Sequence, residues 1–135
     1  MKKDIEIPKV EGVYVAVVQE DNGEGEMIWN VYLVNDKDEL IESAFVSSKG
    51  YLKEVNGAES KTSTLRHSLK DIAAKTSIKI EPIMPDVFKL NNEYFVSFFL
   101  NGTLFDKKFI FLSETIKESN LSTVPLLEKE GVWIK

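Results

Sequence analysis

The chain has 135 residues, of which 43% are hydrophobic and 29% charged, with a net charge of −5 and no cysteine. That describes one globular domain with enough apolar residues for a core, and it excludes disorder, disulfides, thiolate metal sites and cysteine nucleophiles. Arg66 is the sole arginine among 17 basic residues and the lysines form no stripe, which argues against nucleic acid as a partner.

Residues 1–11 read as an extended arm, because Pro8 disfavours helix and Asp4, Glu6 and Lys9 interrupt any apolar leader. A first strand is expected over 12–19, with Val13, Val15 and Val17 on one face and Tyr14, Ala16 and Val18 on the other. Both faces are apolar, as in an inner strand. The acidic loop 20–26 leads to a second strand over 27–35, and turn residues 35–39 lead to a third over 40–48. The polar stretch 47–63 reads as a long connection. Residues 64–72 fit helical and two-residue spacing alike, and are taken as strand followed by a turn at 71–75. Residues 78–83 alternate, and Pro82 and Pro85 mark an edge strand or the end of a strand.

The strongest local signal is EYFVSFFL, Asn101-Gly102, TLFDKKFIF. A two-residue type I′ turn needs positive φ at both central positions, which Asn and Gly tolerate. The turn sets Phe98 opposite Phe105 and Tyr94 opposite Phe109 on a core face. The other face keeps Phe95, Phe99, Leu104 and Ile110 where a solvated face would be polar. Something is expected to cover it: the chain's own C-terminal segment, a second copy or another protein. Ser113 or Thr115 can cap a short helix, with Glu118 completing a capping box. Residues 121–134 are expected to lie on the sandwich over Phe95 and Phe99. Trp133 reads as a latch for that tail or as an interface anchor.

About seven strands at roughly ten-residue spacing predict an all-β fold, an immunoglobulin-like antiparallel β-sandwich with a short C-terminal helix and an apolar tail, in a single domain over 1–135. A small closed barrel is the alternative. No stretch is long enough to span a membrane. With the absence of cysteine, this points to the cytoplasm and to no membrane partner.

Chemistry-bearing residues are sparse. His67 is the one histidine. With Arg66 and Ser68 it offers a place for an anion or small ligand, against the plainer reading that it is structural or exposed. Ser68 cannot serve as its triad partner, because neighbours on a strand point to opposite faces. The loop oxygens of Asp21, Asn22, Glu24 and Glu26 lack the spacing of a calcium loop and read as a solvated turn. No metal site, cofactor or catalytic residue is expected. One histidine, one arginine and no cysteine deplete the residues that do most acid–base and nucleophilic work.

The segments IEIPKVEGVYVAVV, WNVYL, TSTLRHSL, NNEYFVSFF and DKKFIF together resemble a family of small bacterial proteins with no assigned activity. The resemblance covers nearly the whole chain and implies no functional residues. The expected function is a non-enzymatic module that binds another protein or pairs with itself as a homodimer, with Phe95, Phe99, Leu104, Ile110 and Trp133 as its interface. The alternative is a small-ligand carrier or minor enzyme with a pocket near the 47–68 loop.

Overall fold

The computed structural model describes residues 9–135, so most of the expected N-terminal arm lies outside the described residues. Two antiparallel sheets pack face to face. The first has the order β6-β2-β1-β10-β9, formed by β1 (Val13–Asp21), β2 (Met27–Asn35), β6 (Thr76–Pro82), β9 (Ser122–Thr123) and β10 (Glu130–Ile134). The second contains β3 (Ile41–Lys53), β4 (Glu59–Lys61), β5 (Leu65–Ile72), β7 (Asn91–Leu100) and β8 (Thr103–Phe111). Strand β3 is its spine. It pairs with β7 on one side, and on the other with β5 along its first half and β4 along its last three residues. No helix of the described residues is long and apolar enough to cross a membrane.

The core lies between the sheets. Val13, Val15, Val17, Val31 and Leu33 meet Ile41, Val46, Tyr94, Val96, Phe98 and Phe109, all buried. The hairpin has the register that its turn dictates, from Leu100 opposite Thr103 to Asn92 opposite Phe111. Asn101 and Gly102 stand at φ 50° and 80°, as a type I′ turn requires. Lys107, on the core face of the β8 edge strand, lays its ammonium 5.1 Å from the Phe109 ring centre.

Four expectations need correction. Ten strands are present among the described residues, where spacing predicted about seven. The stretch 47–63 is not an open connection, because β3 continues to Lys53 and β4 folds back on it. Polar residues there hid a strand whose inward positions are Ser48 and the buried Gly50. The C-terminal helix is absent: Glu114 has φ 64°, which breaks helical geometry, and only a single 3-10 turn forms at Glu118–Asn120. The Ser113 and Thr115 hydroxyls donate to the carbonyls of Lys89 and Leu112 instead of capping.

The fourth correction concerns the tail. It does not lie over Phe95 and Phe99. Strand β10 pairs with β1 in the first sheet, Val15 opposite Ile134 through Val18 opposite Gly131. Val124 and Leu127 then cover the outer face of that sheet, over Ala16, Val18 and Val34. Gly131 is required here, since a Cβ would sit 2.7 Å from the Val17 carbonyl oxygen. Trp133 packs on Tyr14 at 5.4 Å between ring centres and donates Nε1–H to Ser122 Oγ at 3.0 Å. Beside them, Glu20 accepts hydrogen bonds from Asn30 Nδ2 and Tyr32 OH at 2.7 and 2.8 Å and from Lys129 of the tail.

Candidate functional site

The outer face of the second sheet is the first candidate, and its layout follows from strand registers. Cross-strand partners share a face, so β3, β7 and β8 set out four rows. Lys49, Glu93 and Ile110 make the first, and Ser47, Phe95 and Lys108 the second. Phe45, Ser97 and Asp106 make the third, and Glu42, Phe99 and Leu104 the fourth. Arg66 extends the second row and Ser68 the third, from β5. Phe45, Phe95, Phe99 and Leu104 are 39%, 36%, 41% and 50% exposed. Contiguous exposed aromatic surface of this kind marks interaction sites on soluble domains.

The structure therefore gathers Phe95, Phe99, Leu104 and Ile110 on one face and adds Phe45, which sequence reasoning did not single out. Its signal was period-2 alternation with Ala44 and Val46. Trp133 stands apart on the first sheet, as part of the tail's packing.

The trio Arg66, His67 and Ser68 divides. Arg66 and Ser68 are exposed on the outer face, while His67 turns to the other side of β5. Its Nε2 lies 2.7 Å from Glu81 Oε1. Glu81 sits on β6 of the opposite sheet, where the register with β2 slips: Val31 faces Glu81 and Tyr32 faces Lys79. This bulge accommodates Ile80 as an extra residue and aims Glu81 inward, opposite the buried Val31. The carboxylate also accepts from Ser48 Oγ at 2.9 and 3.1 Å and from Tyr94 OH at 3.0 Å. Burial, and then the charge of Glu81, push the Tyr94 hydroxyl far above the ordinary tyrosine range, so it stays a neutral donor. Glu81 thus fastens β3, β5 and β7 to β6 across the open edge of the sandwich. Sequence alternation gave no sign of it, because a bulge reverses the face of every residue beyond it.

The Ser48, Glu81 and His67 arrangement differs from a nucleophile triad. Ser48 and His67 both bond the carboxylate, and no hydrogen bond joins them among the described residues. Groups of carboxylate and histidine side chains suited to a metal ion do not occur among the described residues. Comparison with known proteins finds no matching family model, no similar curated protein and no similar solved structure.

Proposed function

We propose that this chain is a non-enzymatic assembly module that pairs with a second copy through the outer face of its second sheet. The observation that carries the reading is the unequal cover of the two sheets: the chain's own tail lies on the first, and the four apolar side chains of the second stay exposed.

Self-complementarity supports a second copy as the occupant. A two-fold axis in the interface plane, perpendicular to the strands and between the second and third rows, sets each row over the inverted row of the other copy. Phe95 then meets Ser97 of the second copy, and Phe45 meets Ser47, so that large side chains fall over small ones. Lys108 meets Asp106, Lys49 meets Glu42, Ile110 meets Leu104 and, as the one mismatched pair, Glu93 meets Phe99, each pairing occurring twice. Aligned sheets rotate by about 30°, which displaces the corner pairs most and the central Phe and Ser pairs least. Strands about 4.8 Å apart and rows about 6.8 Å apart give a four-strand face of roughly 500 Å², on the order of 1,000 Å² over both copies. That area suits a reversible dimer more than an obligate one. The absence of cysteine fits a cytoplasmic setting. Kinship with immunoglobulin-like sandwiches belongs to the same proposal, supported by two antiparallel sheets and the chain length.

Light scattering over a concentration series tests the pairing. The mass should rise towards twice the 15.3 kDa of one chain. Asp106→Lys should hold the protein as a monomer, and adding Lys108→Asp should restore the dimer. A monomer at every concentration would sink the proposal.

A further inference from the structure

We infer that the cleft beside Glu81, at the open edge between the sheets, is a binding site for a small primary alkylammonium ion. The cleft holds about 250 Å³, and it does not depend on the dimer face.

Its walls are apolar, with Leu65 from β5 and Ile83, Met84 and Val87 after β6. Its polar lining offers acceptors. The hydroxyl hydrogens of Ser48 and Tyr94 are directed at Glu81. The Thr62 hydroxyl donates to the Ser63 carbonyl at 2.9 Å, and the Gly50 N–H donates to Thr62 Oγ1 at 2.8 Å. Asn92, 5% exposed, gives its amide hydrogens to the carbonyls of Val87 and Leu90. Its Oδ1 is left facing Gly50, 3.3 Å from where a Cβ would stand. A side chain at Gly50 would also press on Leu90 and Thr62, so glycine keeps this end of the cleft open. Lys49 borders the cleft, but its ammonium is 3.9 Å from Glu93 on the outer face.

Ser48, Tyr94 and His67 direct three donors at the Glu81 carboxylate, which has about four acceptor sites, so what remains toward the cleft is one carboxylate site and the Asn92 amide carbonyl, with hydrocarbon around them. An ammonium group supplies the donors and the opposite charge, and an alkyl body fills the apolar walls. A carboxylate ligand would meet the charge of Glu81, and an alcohol would bring one donor and no charge.

The test is a titration of the isotope-labelled full chain, followed by amide chemical shifts, with hexylamine, hexanol and hexanoate. Hexylamine should bind saturably and shift Gly50, Asn92 and Tyr94. Hexanol should bind about tenfold more weakly, the scale of a charged hydrogen bond, and hexanoate should not bind. Nα-acetyl-lysine methylamide, run alongside, distinguishes a free amine from a lysine side chain as the natural source. Glu81→Gln should abolish the preference for amine over alcohol. Because Glu81 also joins the sheets, Leu65→Lys serves as a second variant at a half-exposed position. It should weaken hexylamine more than hexanol, since both lose the Leu65 wall and only the amine meets the added positive charge. Equal affinity for amine and alcohol, shifts confined to other regions, or no hexylamine binding in the millimolar range would overturn the assignment.

Discussion

The outer faces of the two sheets differ in texture, and the difference explains their fates. On the first, Ala16, Val18 and Val34 form a low strip between Tyr14, Tyr32 and Trp133, and Gly131 lets the returning backbone come close to β1. On the second, phenylalanines alternate with serines, lysines and aspartate across three strands. A low apolar surface is covered efficiently by a short loop and strand of the same chain. A rough, amphipathic one is poorly matched to such a loop and stays in water, with its knobs and charges available to another molecule.

Removing the cover should have the largest effect. A chain ending at Leu112 loses β9 and β10, which leaves β1 as an edge strand with bare apolar residues on its outer side. The loss should consume most of the roughly 5–15 kcal/mol that stabilises a domain of this size, and the protein should unfold or aggregate. Circular dichroism and light scattering read this directly. A folded, soluble truncation would mean that the tail only decorates the sheet.

Two neighbouring phenylalanines sharpen the contrast. Phe98 is 1% exposed and stacks on Phe105 with ring centres 5.5 Å apart, whereas Phe99 is 41% exposed on the outer face. Phe98→Ala should cost about 3–5 kcal/mol in denaturant unfolding. Phe99→Ala, measured in dilute solution, should stay within about 1 kcal/mol of the parent while lowering the dimer fraction at high concentration. Equal stability losses at both positions would mean that the outer face is as well packed as the core.

The smallest effects are set by pH and separate the tail from the rest. Burial first, and then Glu20, raise the Tyr32 hydroxyl to about 12. The folded chain holds that proton more tightly than the unfolded chain does. Its contribution is therefore full below the ordinary value near 10 and is lost as pH rises through about 12. Tyr94 shifts in the same direction, so Tyr32→Phe should blunt the alkaline loss of stability without abolishing it. Burial raises the Glu20 carboxyl, but the hydrogen bonds from Lys129, Asn30 and Tyr32, with the Lys129 charge, outweigh it and leave the group below its ordinary value. Its stabilisation is present at neutral pH and is lost as pH falls through that lowered value. Amide hydrogen exchange should show β10 loosening in acid before β7, and Lys129→Ala should reduce the difference.

Residues whose structure depends on near neighbours were legible in the sequence. Asn101-Gly102 determines the turn through backbone sterics, the turn determines the register, and the register determines which faces of β7 and β8 are apolar. The double apolar character of β1 announced an inner strand for the same kind of reason. The opposite orientations of His67 and its neighbours Arg66 and Ser68 follow from the period of a strand.

Tertiary structure decided the rest. Glu81 meets His67 because a bulge opposite β2 turns it inward, and the partner strand that makes the bulge is 50 residues away in sequence. The tail joined the first sheet because β1 offered unpaired backbone groups and a low surface at once, a conjunction that no local pattern encodes. Local sterics are written in adjacent residues. Sheet membership and the aim of a side chain beyond a bulge depend on which distant strands supply the hydrogen bonds, and those exist only once the sheets have formed.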